Sequence, residues 1–289
     1  MAESLIVATL GAELIATFND PNYRPPPLPG VALELMSLTN RDDSTIDRIV
    51  RLLEQDEMLA GGVMRLIGSP LYAARSPIRT LKEAVVRLGV RTVRDLVFET
   101  ALNQGVFTLA EYSETIEQIR RHSTVTAYIA RIVCKVANVD EDHAFLCGLL
   151  HDIGFAGLLF AVSNIEAEAS PPLIQLWPDI DALHEQASRL VTQLWQLPLD
   201  MQEVVGHHHH LHTGETSRVA AAINIADQLS ERFGASVVGP VDAEGNLLRG
   251  DLVDEFDLEV SRAELNLSDQ AMARIIDEAE AIVPDILWL

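Results

Sequence analysis

The sequence predicts an all-α protein, and three observations carry that expectation. Nearly every stretch long enough to read spaces its apolar residues by three and four, as a helix that buries one face requires. Residues that start and stop helices bracket several of those stretches. No internal repeat divides the 289 residues.

Taken in order, "SLIVATLGAELIATF" predicts a first helix over residues 4–18, with Leu10, Leu14 and Phe18 on its apolar face. That face suits covering the core or pairing with a second copy, so a homodimer is one expectation. "NDPNYRPPPLPG" stops the helix, because clustered prolines disfavour helix and stiffen the chain. Short helices follow from Val31 to about Gln104. "STIDRIVRLLEQD" has Ser44 as N-cap and Ile46, Ile49, Val50 and Leu53 on one face; "SPIRTLKEAVVRLG" has Ile78, Leu81, Val85 and Leu88 on one face and Gly89 as its end.

"SETIEQIRRHSTVTAYIARIVCKVANV" predicts a long helix through His122. "DEDHAFLCGLLHDIGF" follows, with Asp140 as N-cap and Gly154 as terminator, and Pro198 ends the helix "DALHEQASRLVTQLWQLP". In "LDMQEVVGHHHH", Asp200 and Glu203 have the spacing of a capping box. "SRVAAAINIADQLSERFG" runs to Gly234, residues 235–260 are turn-rich and acidic, and Ser268 caps the closing helix "LSDQAMARIIDEAEAIV".

With 48% hydrophobic and 22% charged residues, the chain can bury one large core or two modest ones. No apolar run reaches the roughly 20 residues needed to cross a bilayer, and Glu3 and Glu13 make the N-terminus a poor signal peptide. The expectation is a cytoplasmic protein with no membrane partner. Cys134 and Cys147 lie in apolar helical contexts and read as core thiols. Against 21 basic residues stand 43 acidic ones, a net charge of −22 that repels polyanions and argues against a nucleic-acid partner. An anionic phosphate substrate would need a divalent cation to reverse the local field.

Chemistry concentrates around "CGLLHDIGF" and "EVVGHHHHLHTG". An ionised Asp152 amid that much apolar surface costs several kcal/mol unless a cation pairs with it. Without a metal, the expected partner is a histidine, His122 or His151. Adjacent helical residues point about 100° apart, so His151 and Asp152 converge on one ion only where the helix ends. The same geometry keeps spacing from choosing among His207, His208, His209 and His210. Further candidates are His122, His184 and Asp227, the last a carboxylate in the otherwise apolar helix "VAAAINIADQLS". Imidazoles and carboxylates suit iron, manganese, zinc or nickel, and helical bundles gather such ligands from several helices. Taken singly, His122 and His184 are ordinary histidines; their order with the rest is what marks them.

That order, His122, His151-Asp152, His184, His208-His209, Asp227, resembles the ligand set of the HD superfamily of metal-dependent phosphohydrolases, in the form of its HD-GYP phosphodiesterase branch. The nearer likeness is to HDOD domains, HD-related output domains of bacterial signalling proteins. It rests on residues 52–97 ("LLEQDEMLAGG…RDLV"), on "AFLCGLLHDIG" and on "LWQLPLDMQEVVGHHH". The resemblance implies an HD-domain/PDEase-like helical bundle with an N-terminal helical lobe. It divides the chain into residues 1–24 (helix and linker), 25–113 (N-terminal lobe), 114–235 (HD-like lobe) and 236–289 (C-terminal extension). It also implies one or two divalent transition-metal ions: one on His122, His151, Asp152 and Asp227, the other on His184, His208 and His209. Against the HD-GYP pattern, Phe155 stands where a lysine would hold a phosphate, Gln118 where a carboxylate precedes the first histidine, and "HLHTGE" where GYP would follow. Against the HDOD pattern, Asp56-Glu57 and Gly68-Ser69 replace Asp-Pro and Asn-Ser.

Two functions follow from the resemblance. One is a non-catalytic signal-transduction output module that acts by binding a protein partner in a signalling pathway and carries a metal. The other is a metal-dependent phosphohydrolase of the cyclic-dinucleotide phosphodiesterase type, in which the ion lowers the pKa of a water. The missing lysine favours the first.

Overall fold

The computed structural model describes residues 16, 20–28, 30–39, 46–72, 78–139, 143–163, 173–209, 217–241, 247–249 and 255–288. The helix expected at 4–18, apart from Ala16, the N-caps expected at Ser44 and Asp140, and His210 lie outside them. The fold is all-α, with one short hairpin. Contacts group residues 1–26 with 108–279 in one unit, and 27–107 with 280–289 in another.

In the second of these units lie α1 (Gly30–Thr39), α2 (Ile46–Leu53), α3 (Glu57–Gly68), α4 (Leu81–Leu88) and α5 (Val90–Gly105). Helix α5 packs on α1, α3 and α4 around Leu35, Leu59, Val63, Val85, Val97 and Phe98, all buried. Asp56 caps α3, its carboxylate accepting from the Met58 and Leu59 N–H groups at 2.9 and 3.1 Å. Gly89, at φ 81°, ends α4 in a backbone conformation that L side chains avoid, and α5 starts at the next residue.

The first unit holds α6 (Ser113–Ala137), α7 (Ala144–Leu150), α8 (Ile153–Ser163), α9 (Leu173–Leu194), α10 (Leu199–Val205) and α11 (Ser217–Arg232). The hairpin β1 (Val238–Val241) and β2 (Leu247–Arg249) and the helix α12 (Glu255–Leu265) follow; α13 (Asp269–Trp288) closes the chain. Helix α6 lies between α7 and α11, while α8 runs along α9. The Pro-rich linker is pinned: Tyr23 Oη donates to the Gly157 carbonyl at 2.9 Å and Trp195 Nε1 to the Pro26 carbonyl at 3.0 Å. Burial pushes the Tyr23 phenol up, so it stays a neutral donor. Cys134 and Cys147 are buried free thiols, as expected.

Several expectations are corrected. Gly154 does not end a helix. The break falls at His151-Asp152, and Gly154 is the second residue of α8. A Cβ there would stand 2.0 Å from the His184 carbonyl oxygen and 2.5 Å from Ser188 N, so this glycine permits α8 to press against α9. Asp200 and Glu203 form no capping box: Pro198 stands at the N-cap, Glu203 pairs with Arg189, and Asp200 accepts from His143 Nδ1 at 3.2 Å. Helix α9 begins at Leu173, earlier than expected, and carries Pro178 inside it. The turn-rich stretch contains the antiparallel hairpin, with Val238 opposite Arg249, and the start of α12. Counted across the His-Asp pair, Ala144–Ser163 is long and apolar enough to cross a bilayer; here it is buried in the protein interior, as a core element is.

Candidate metal centre

Six helices or their ends bring seven side chains together: His122 from α6, His151 and Asp152 from the α7–α8 break, His184 from α9, His208 and His209 from the turn after α10, and Asp227 from α11. The break matters because it releases His151 and Asp152 from the 100° spacing of a continuous helix. Six of the seven residues pair into two groups that share Asp152. The ligand atoms of His122, His151 and Asp152 lie within 4.8 Å of one another, as do those of Asp152, His184, His208 and His209.

Asp152 faces both ways. Its Oδ2 is 3.4 Å from His122 Nε2 and 3.4 Å from His151 Nε2; its Oδ1 is 3.4 Å from His208 Nε2 and 3.6 Å from His184 Nε2. Asp227 Oδ1 adds a second carboxylate to the first group, 3.0 Å from His122 Nε2 and 3.7 Å from His151 Nε2.

The backbone sets the tautomers. Nδ1 of His122, His151, His184 and His208 lies 2.7, 2.8, 2.5 and 2.8 Å from the carbonyl oxygens of Ala235, Gly148, Asp181 and Val205. A carbonyl only accepts, so each Nδ1 carries the hydrogen, and each Nε2 of a neutral ring presents a lone pair to the centre. Yet His122 Nε2 stands 3.0 Å from His151 Nε2, and His209 Nε2 stands 3.1 Å from His184 Nε2. Facing lone pairs repel, as do lone pairs facing carboxylates. The His122–His151 contact therefore needs a cation, either a proton on one ring or a metal ion between them, whereas the His209–His184 contact is met either by an ion or by a neutral His209 that donates its Nε2–H to His184 Nε2. Two nitrogens bound at about 2.0–2.1 Å to one ion stand roughly 3 to 3.4 Å apart, so the observed spacing suits a shared ion. Asp152 Oδ1 and His208 Nε2 are also buried with no hydrogen-bond partner, which is how ligand atoms look before coordination. The donor set fits a transition metal.

Electrostatics separates the two groups. Burial works against charge on His122, but the hydrogen bond and charge of Asp227, with the charge of Asp152, raise its imidazole to about 9. Burial would raise Asp227, yet its close contact with His122 and the neighbouring His151 imidazole hold it well below the usual carboxylate range. Asp152 is likewise held low against burial, by the His151 charge and the imidazole of His208 beside it. In the other group, burial lowers His184, and burial with the His208 charge lowers His209 to about 3. His208 is raised, Asp152 outweighing its burial.

His207 turns away from the centre, its Nδ1 donating to the Glu203 carbonyl at 3.0 Å. Sequence reading left four contributors unplaced. Phe155 stacks on His184, with ring centroids 4.5 Å apart and planes 9° apart, and on Trp177 at 5.5 Å. Glu185 accepts the His209 N–H at 3.0 Å. Asp181 and Glu231 line the mouth. Helical spacing held a signal for these last two, since Asp181 lies one turn before His184 and Glu231 one turn after Asp227. The cleft they line, with His122, Asp152, Phe155, His184, His209, Asp227 and Val237, has a volume of about 40 Å³.

Fold and site together define a helical bundle built around a buried imidazole–carboxylate cluster. Residues 26–211 match the HDOD domain family model, and the chain belongs to that family. It is similar, at 25% identity over 216 residues, to an uncharacterized protein of Treponema pallidum (strain Nichols); the match covers 71% of this chain and 41% of that protein's length. Among solved structures, a protein of Shewanella amazonensis SB2B, provisionally described as a metal-dependent phosphohydrolase, aligns at TM-score 0.73 and 20% identity, over 97% of this chain and 99% of that one. An HDOD domain protein of unknown function from Geobacter sulfurreducens aligns at TM-score 0.67 and 23% identity, over 97% and 98%. A protein of Marinobacter aquaeolei VT8, provisionally described as a signal transduction protein, aligns at 0.64 and 20%, over 97% of this chain and 65% of that one. At these identities the likeness is one of fold.

Proposed function

We propose that this chain is a signal-transduction output module that acts through a protein partner, holds metal at the imidazole cluster, and turns over no phosphate substrate. The observation that carries the reading is the contrast between the cluster and its cleft. One ion would be held by His122, His151, Asp152 and Asp227, and a second by His184, His208 and His209 with the other oxygen of Asp152. Ligand pockets run to roughly 300–1000 Å³, whereas this cleft has about 40 Å³ and is lined by Asp181, Asp227 and Glu231. Carboxylates there repel a phosphate, and Phe155 places an apolar ring where a lysine would attract one. What remains accessible suits a cation or a water.

One observation favours the second reading, a phosphohydrolase: the paired ligand set itself, carried on a fold like that of the Shewanella protein provisionally described as a metal-dependent phosphohydrolase. A bound ion there would supply an activated water at neutral pH. Metal analysis of tag-free protein, run beside assays on cyclic dinucleotides and generic phosphodiesters, separates the two. The proposal expects bound metal and no turnover. Turnover that disappears in Asp152→Ala would replace it with the phosphohydrolase.

A further inference from the structure

A buried polar relay runs from the peptide of His208 to α12. The His208 carbonyl accepts from Asn224 Nδ2 at 3.3 Å. Asn224 Oδ1 in turn accepts from Ser261 Oγ at 2.9 Å and from Gln228 Nε2 at 3.0 Å. All three side chains belong to buried residues, Ser261 at 0% exposure. Two donors on the amide oxygen fix which way the Asn224 side chain points, so its N–H is committed to His208. Asn224 also stands three residues before Asp227, on the same face of α11. One helix face thus presents the carboxylate that meets His122 and the amide that holds the turn bearing His208 and His209.

Helix α12, which supplies the Ser261 donor, lies beyond residues 26–211 that match the family. It packs along α11. An element of this chain's own C-terminal segment therefore completes the hydrogen bonding behind a candidate ligand. We propose that Asn224 is a positioning residue for His208 and that Ser261 orients it, so that metal occupancy and the seating of α12 are coupled. The inference rests on the metal-binding reading above and names its output: α12 is the element whose seating reports the site. Linkage makes the effect reciprocal, since whatever factor α12 contributes to metal affinity, metal returns to the seating of α12.

The test measures zinc affinity by chelator competition and amide hydrogen exchange over residues 255–265, in the full chain with and without zinc. Zinc is expected to slow exchange in α12 of the natural sequence. Ser261→Ala is expected to weaken zinc roughly tenfold and to lose that slowing, because groups that orient metal ligands are worth about that much. Ser261→Thr, which keeps the hydroxyl, and Val260→Ala, at an exposed position of the same helix, are expected to keep both. If Ser261→Ala fails to fold in chelator, Gln228→Met removes the other donor to the same oxygen and is expected to weaken zinc in the same way. Natural zinc affinity in folded Ser261→Ala, while His208→Ala loses zinc, overturns the relay and leaves the metal site standing. A natural chain that binds no zinc overturns both.

Discussion

The two halves of the imidazole cluster are built from the same parts and reach different balances. Around His122 and His151 stand two carboxylates, Asp227 and one oxygen of Asp152. Around His184, His208 and His209 stand three rings against the other oxygen of Asp152. Burial penalises charge in both. In the first half the carboxylates outweigh it and His122 is raised; in the second, His184 and His209 are lowered and stay neutral. The difference teaches that Asp152 is the part common to both, while Asp227 and His209 each belong to one. The first half balances its own charge; the second sets two neutral nitrogen donors, His184 and His209, beside a His208 that Asp152 raises.

The largest effect that would break this comparison is expected from Asp152→Ala. With the shared carboxylate gone, metal content by elemental analysis is expected to fall below roughly a tenth of the natural value, since removing a direct ligand costs at least as much as removing its supports. Asp227→Asn and His209→Ala come next. Each is expected to lower metal by about one ion per chain and to leave the other half loaded. Equal loss of all metal in both variants would show one site where two are proposed.

Two stability effects sharpen the picture by separating support from ligation. Gly154→Ala forces a methyl group onto the α9 backbone. It is expected to cost about 3 kcal/mol in chelator, read by denaturant unfolding. Tyr23→Phe leaves the Gly157 carbonyl without its donor; it is expected to cost about 1 kcal/mol and leave metal content unchanged. The smallest effect is expected at Glu117, whose carboxyl its hydrogen bond with Arg120 holds below the usual range. A depressed carboxylate contributes above its ordinary pKa and loses that contribution as pH falls through the folded value. The pair is half-exposed and screened, so Glu117→Gln is expected to change stability at neutral pH by less than about 0.5 kcal/mol.

Helical periodicity made most of the elements legible. The long α6, the ends at Gly89 and Gly234 and the cap at Ser268, whose Oγ accepts from Ala271 N at 3.2 Å, stand where residue chemistry puts them. Each depends on neighbours within one turn, which a sequence displays. The misreadings share the opposite cause. Gly154 looked like a terminator because glycine ends helices, but the need it meets is a backbone 34 residues away at Ser188. Asp200 and Glu203 had capping-box spacing, but His143, at the start of α7, and Arg189 of α9 claimed them respectively.

By itself the sequence determined the composition of the cluster: which imidazoles and acids sit beside apolar neighbours, and in what order along the chain. Only the tertiary structure decided that His208 and His209 turn inward while His207 turns away, that Asp152 offers one oxygen to each half, and that Phe155 stacks on His184 at the mouth. Ring orientation follows from the carbonyl each Nδ1 finds, and for His122 that carbonyl is Ala235, 113 residues away. Spacing along one helix carries no information about a partner so distant.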